Sequence, residues 1–386
     1  MTPPAQPISS LPDTERLISL DAFRGLTIMA MILVNNPGSW GTVYPPLLHA
    51  DWHGWTPTDL IYPFFLFMVG VSIVFSLQTR LASGASKLDL SRKVFWRAGK
   101  IFLLGMFLFF YHRGLPNCID EIRFCGVLHR IAIVFLICGL IFIYIRPRLQ
   151  MFLCGLILVG YCYCMMTIPI PGNDGKVMLE PGNNLAAYID SKVMPFGQFY
   201  HNRNLAEGSV AWDPEGPFST IPALATCLTG IFAGLLLRNP KKSQERKVII
   251  LFFWGFLLLV GGYLWGLCFP INKPIWSSSY VLLSSGFACT TLAACVYFVD
   301  MLGQKRIMYP AVVFGSNAIT MFCLSGILAG LFFYGGHWKL NANYMAAVTQ
   351  AGYSQEFASM CYAMLFVAIN FIPAWLLYHF RIFVRL

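Results

Sequence analysis

The chain has 386 residues, 57% of them hydrophobic and only 11% charged, with a mean hydropathy of +0.63, a balance that excludes an ordinary soluble domain. The formal net charge of +10 invites a nucleic-acid reading, but the basic residues collect in short connections between apolar runs, so nucleic acid is excluded as a partner. Apolar runs long enough to cross a bilayer as helices lie near 17–36, 57–78, 95–112, 124–145, 149–166, 218–237, 248–267, 279–299, 311–334 and 358–380. The expected fold class is all-α: a polytopic membrane helix bundle of about ten spans, forming one domain over 1–386.

The residues before the first run are polar and include Asp13 and Glu15, unlike a cleaved signal peptide, so the first helix is expected to act as an uncleaved anchor. In "SLDAFRGLTIMAMILVNNPG", Asp21 and Arg24 stand at i, i+3 and can pair. A structural ion pair and a phosphate-binding arginine are both open. Asn35 and Asn36 end this helix, as caps or as amides that orient a reacting carbonyl. The next stretch, "LLHADWHGWTPTDLIYPFFLFMVG", gathers His49, Asp51, His53 and Asp59 with Trp52 and Trp55. Interfacial anchoring accounts for the Trp residues; an active site open to one membrane face accounts for paired imidazoles and carboxylates.

Further along, "IRFCGVLHRIAIVF" sets His129 and Arg130 inside the fourth run. A guanidinium there must pair within the bundle or line a wet cavity. Cys118 and Cys125 lie near one surface and can pair, most other cysteines read as small hydrophobes within spans, and no C-x-x-C pair occurs, so no metal is expected. Residues 167–217 form a connection too polar for lipid and long enough to be functional. It runs into "AWDPEGPFSTIPALATCLTG", where Trp212 beside Asp213 and Glu215 suits a sugar and Ser219 or Thr220 is the expected helix N-cap. "FPINKPIWSSSYVLLSSG" adds Lys273, Trp276 and Ser278 at a helix start. "FGSNAITMF" buries Asn317 in the ninth helix, where its amide needs a partner or a ligand.

Basic residues fill alternate connections: Arg80 to Lys100, Arg146 and Arg148, Arg238 to Lys247, Lys305 and Arg306, then Arg381 and Arg385 at the end. With ten helices these all fall on one side, and Lys/Arg excess marks the cytoplasmic side. Both termini are therefore expected in the cytoplasm, with the His49 stretch and 167–217 outside. The two halves show no repeat of the kind inverted-repeat transporters carry. Phosphate-loop, dinucleotide, nucleophile-elbow and H-E-x-x-H motifs are absent from the sequence.

Six segments in order, "SLDAFRG…VNNPG", "HADWHGWTPTDLIYPFFLFMVG", "GVLHRIA", "DPEGPFSTIPA", "NKPIWSSSYVL" and "GSNAI", resemble the heparan-alpha-glucosaminide N-acetyltransferase family and its bacterial relatives. The resemblance runs from about Leu17 to the ninth helix. It implies a membrane acyltransferase with acetyl-CoA as co-substrate and the amine of a terminal glucosamine as acceptor. The family's catalytic histidine falls on His49. Two departures are His129, where the family usually has Gln, and His53, where it usually has Asn; the second makes His53 the weaker candidate base. Lysosomal members also carry a lumenal N-terminal domain, and this chain is expected to be the compact form of a bacterial inner (plasma) membrane.

Acetyl transfer to an ammonium needs a base, and His49 can serve as that base or accept the acetyl group itself. Asp59 can hold the imidazole tautomer, and Asn35 can donate to the oxyanion. Donor contacts are expected from Arg24, His129, Arg130, Lys273, Ser278 and Asn317, with arginines meeting the phosphates. Sugar contacts are expected from Trp52, Trp212, Asp213, Glu215 and Trp276. The partners expected are an amino sugar or glycan and membrane lipid, with a second copy of the chain as a candidate. Two alternatives stand: an amino-sugar permease, which needs no thioester-polarising imidazole, and an O-acetyltransferase of a cell-wall glycan.

Overall fold

The computed structural model describes residues 17–113, 122–172, 174–194, 199–200, 209–331 and 340–384. In chain order the helices are α1 (Ile18–Asn35), α2 (Ile61–Ala82), α3 (Lys87–Arg113), α4 (Val127–Tyr144), α5 (Pro147–Thr167), α6 (Leu185–Val193) and α7 (Pro217–Leu237). They continue with α8 (Gln244–Gly266), α9 (Ser278–Cys295), α10 (Tyr309–Ser316), α11 (Ala318–Ala329), α12 (Leu340–Gln350) and α13 (Gln355–His379). The strands β1 (Leu179–Glu180) and β2 (Asn183–Asn184) form one small hairpin before α6. Among the described residues nine helices are long and apolar enough to cross a membrane, and α10 with α11 makes a tenth if the bent pair is one span. The protein is a polytopic all-α membrane bundle, because a helix satisfies its backbone polar groups internally where water is absent.

Two elements differ from the hydropathy pattern. The third helix begins at Lys87 rather than near 95. Its first turns carry Lys87, Asp89, Arg92 and Lys93, too polar for an apolar window to include. The ninth apolar run, expected as one helix over 311–334, breaks at Asn317 with a bend of 87° between α10 and α11; residues 332–334 lie outside the described residues. The Asn317 amide accounts for the break. It donates from Nδ2 to the Ile382 carbonyl at 2.9 Å and accepts the Val384 N–H at 2.8 Å, so the end of the chain satisfies the buried group.

Small residues set the close approach of α2 and α7. A Cβ on Gly70 of α2 would lie 2.0 Å from the Cys227 carbonyl oxygen of α7, and one on Gly230 of α7 would lie 1.9 Å from that of Phe67. Without a hydrophobic driving force in lipid, such close approach is what holds membrane helices together. Around this contact Leu66, Ile73, Val74, Leu228 and Ile231 form part of the largest buried cluster. At the periphery α8 turns Ile249, Phe253, Trp254 and Phe256 outward, as a lipid-facing helix does.

Overpacking typically costs about 1–3 kcal/mol, and at Gly230 the obstacle is backbone rather than a side chain that can swing away. Gly230→Val is expected to yield little monodisperse protein, with a lowered melting temperature in what survives. Size-exclusion chromatography and a thermal melt check this, and parental yield and Tm would refute it.

Candidate active site

The head of α2 is built from a polar turn. Pro57 opens a single 3-10 turn over Pro57–Leu60, with Thr56 as N-cap and Asp59 completing a reciprocal capping box. The Thr56 hydroxyl donates to the Leu48 carbonyl at 2.6 Å, which ties the preceding stretch to the helix. Asp59, 1% exposed, accepts the N–H groups of Ala50 at 3.1 Å and Thr56 at 3.0 Å on Oδ2. Its Oδ1 lies 2.7 Å from His49 Nδ1 and 3.2 Å from Lys273 Nζ.

A carboxylate in this setting only accepts, so Nδ1 of His49 carries a proton toward Asp59. The His49 side chain is 53% exposed, so the ring is within reach of an incoming group. A buried acid therefore orients a half-exposed histidine.

Lys273 reaches this pair from the turn before α9. Asn272, fully buried, fixes that turn: its Oδ1 accepts the Ile275 N–H at 3.0 Å and its N–H donates to the Ser277 hydroxyl at 3.0 Å. Its Nδ2 donates to the Trp52 carbonyl at 3.0 Å, and Gly54 N–H donates to the Ile271 carbonyl at 2.7 Å. The Tyr280 hydroxyl of α9 donates to the Asp59 carbonyl at 2.5 Å. Asn272 was not singled out from the sequence, although it stands in "NKPIW"; nothing local signals a partner some 220 residues away. Lys273, expected to contact the donor, lies against Asp59 and His49. Burial lowers its pKa despite the opposing pull of Asp59 and Glu215.

The long connection folds back over this stretch. Trp52 and Trp212 meet edge to face, 5.2 Å between centroids, and Trp52 Nε1 donates to the Leu179 carbonyl at 2.8 Å. Three positions from His49 there is thus an aromatic pair, both rings half-buried. The acids beside Trp212 are placed differently from the expectation of free acceptors. Asp213, 4% exposed, binds Arg123 through both oxygens at 2.6 and 2.7 Å and also accepts the N–H groups of Tyr200 and Glu215. Glu215 Oε2 lies 2.7 Å from the same guanidinium. Both anchor the loop. On α6, Asp190 accepts the Phe218 N–H at 2.7 Å, and burial pushes its carboxyl up to about 7.

Several expected ligand contacts are interior supports. Trp276, at φ 52° and 1% exposed, donates from Nε1 to Thr226 at 3.1 Å and packs on Tyr62 and Tyr280. Arg130, 1% exposed, stacks over that ring at 5.1 Å. Its Nη2 lies 2.8 Å from the Pro214 carbonyl, 3.2 Å from that of Gly216 and 2.5 Å from the Ser219 hydroxyl. It thereby clamps the entry of α7, whose N-cap is Gly216 rather than Ser219 or Thr220. His129 packs against Phe102 at 4.6 Å, and the buried Ser278 hydroxyl donates to the Leu158 carbonyl at 2.7 Å. Sequence spacing gives polarity but not orientation, which is why these residues resembled ligands. Cys118 lies outside the described residues; Cys125 is buried, its Sγ 3.5 Å from Met194 Sδ.

At the far end of α2 lies a cavity of about 920 Å³. Among the described residues its lining holds Arg24, Arg80, Arg92, Lys93, Arg97 and Lys100 against one acid, Asp89, together with Ser72 and Asn317. Arg24 pairs with Asp21 at 3.3 Å and with the Ser72 hydroxyl while still facing this space, so the pair and the cavity lining coexist. Ser72 follows Asp59 by thirteen residues, about 20 Å along a helix. Asn35, exposed at the end of α1, lines a separate cavity of about 330 Å³ with Trp40, His112 and Ser325. Among the described residues no hydrogen bond joins Asn35 to His49.

Fold and site together define a multi-pass membrane bundle with a histidine–aspartate pair at one end and a cationic cavity toward the other. The family described as heparan-alpha-glucosaminide N-acetyltransferase, catalytic, matches residues 16–193, a stretch that contains Arg24, His49 and Asp59. The chain is 27% identical over 392 residues to the heparan-alpha-glucosaminide N-acetyltransferase of Mus musculus, covering 87% of this chain and 57% of that protein. It is 27% identical over 389 residues to that of Homo sapiens, covering 87% and 56%. The chain resembles this family, and it spans just over half the length of the curated relatives it matches.

Proposed function

We propose that the protein is a transmembrane N-acetyltransferase, taking the acetyl group from cytoplasmic acetyl-CoA and passing it to the amine of a glucosamine-type sugar on the other side of a bacterial inner membrane. The observation that carries the reading is His49: half exposed and oriented by a buried carboxylate through Nδ1. The sugar ammonium first gives one proton to solvent, and the free amine then attacks the thioester carbonyl. Nε2 can take the second nitrogen proton as the C–N bond forms and return it to the thiolate as the C–S bond breaks, or it can accept the acetyl group first, with release of the thiol, and pass it on to the amine. Release of one thiol per protein in the absence of sugar distinguishes the second route.

Sidedness follows from charge. Apart from Arg24 on α1, the cavity's cations lie at the end of α2 and the start of α3, beside the connection that the Lys/Arg excess puts in the cytoplasm, and polyphosphate binds such a site through bidentate guanidinium contacts. The extended pantetheine arm of acetyl-CoA is long enough to bring the thioester along α2 toward His49. The resemblance of the matched stretch to an acetyltransferase family supports the same donor.

In vesicles of uniform orientation, with acetyl-CoA on the cytoplasmic face and glucosamine on the other, free thiol and N-acetylglucosamine should form together. Activity only when both substrates share one face would refute transfer across the membrane. Arg24→Ala should raise the KM for acetyl-CoA several-fold more than that for the sugar, since it removes binding rather than chemistry. Equal changes in both would remove Arg24 from the donor site.

A further inference from the structure

We infer that Lys273 is a positioning residue of this site, offsetting the charge of Asp59 at His49 so that the ring stays unprotonated while Asp59 still orients it; the inference rests on the acetyltransferase reading. A histidine held only by a buried carboxylate is drawn toward the imidazolium form, because the anion stabilises the adjacent cation. An imidazolium has no lone pair at Nε2 and can act neither as base nor as acetyl acceptor. Orientation by Asp59 would then work against reactivity.

Lys273 resolves the conflict. Its Nζ lies 3.2 Å from the Asp59 Oδ1 that meets the imidazole, and 3.0 and 3.5 Å from Nδ1 and Nε2 of the ring. With Nδ1–H donating to Asp59, the ammonium's contact with the ring is electrostatic and opposes a second positive charge there. The Nδ1 to Oδ1 hydrogen bond at 2.7 Å is untouched, so the orientation survives. The other groups facing this cluster do not supply that cation. Glu215, at the α7 entry, acts on Lys273 as a further anion. His53 meets the Asn272 amide at 3.3 Å, and the α9 hydroxyl of Tyr280 binds the Asp59 backbone.

The test uses Lys273→Gln, which keeps a donor for Asp59 without the charge, Lys273→Met, which removes both, and Lys273→Arg, which keeps the charge. In kcat/KM profiles across about pH 5–8, the acid-side fall of either neutral variant should move to higher pH by roughly 1–3 units. The Arg variant should keep the parental profile. A purely structural lysine would lower yield or rate without moving that fall, and an unmoved profile in a folded neutral variant overturns the inference.

A second readout needs no turnover: acylation of His49 by diethyl pyrocarbonate, which reacts with the neutral ring, followed by mass spectrometry of its peptide. Reaction of the neutral variants should begin at higher pH by the same amount. Should neither fold, parental His49 reacting only at higher pH than exposed His53 also overturns the inference. An acylation shift in a protein without acetyl transfer would leave Lys273's role standing and refute the proposed reaction.

Discussion

His49→Ala is expected to lower the turnover of acetyl transfer by at least about 10²-fold, toward the upper part of the 10²–10⁴ range that a positioned base contributes. The side chain is half exposed and fills no core space, so its removal leaves yield and melting temperature close to parental. Lys273, already engaged with Asp59, does not offer a replacement lone pair. The nearby His53, which stands where the resembling family usually has Asn, contacts the Asn272 amide rather than Asp59, so His53→Asn should retain activity. Steady-state kinetics with acetyl-CoA and glucosamine, beside a thermal melt, make the measurement. A folded His49→Ala protein with parental turnover would remove His49 from the mechanism.

Asp59→Asn should cost activity on a similar scale and stability as well. The aspartate is surrounded by donors: two backbone N–H groups on one oxygen, the His49 Nδ1–H and the Lys273 ammonium on the other. An asparagine must turn its NH₂ toward one of these sets. A buried donor left without an acceptor costs about 1–3 kcal/mol, and the imidazole loses the contact that fixes its tautomer. The expected result is a turnover loss of about 10²-fold or more with a lower melting temperature, in contrast to His49→Ala, where only activity falls. Parental activity in a folded Asp59→Asn protein would show that the carboxylate does not orient the ring.

The class of protein was legible in the sequence because lipid is a severe solvent. Each span must be a long apolar helix, so hydropathy alone locates most of them, and the α12 helix and the early start of α3 escape because polar residues mask them. His49 and Asp59 were legible because both lie in one short stretch and meet across a single helix head. Arg24 was legible as a charge in a span, and the cavity it lines draws on basic residues already visible as a cluster.

What the sequence by itself determined is a many-helix membrane bundle, the resemblance carried by six ordered segments, and the local histidine–aspartate pairing. Only the tertiary structure decided which polar residues face open space and which are spent on holding the fold. Lys273 joins His49 across 224 positions, Asp213 is taken up by Arg123, Trp276 and Ser278 are sealed in the interior, and Asn317 breaks a helix to bind the chain's end. The reason is physical: buried polar groups must find hydrogen-bond partners, and in a bundle those partners sit on helices far apart in sequence. Periodicity along one helix tells which side chains share a face, but not what that face meets.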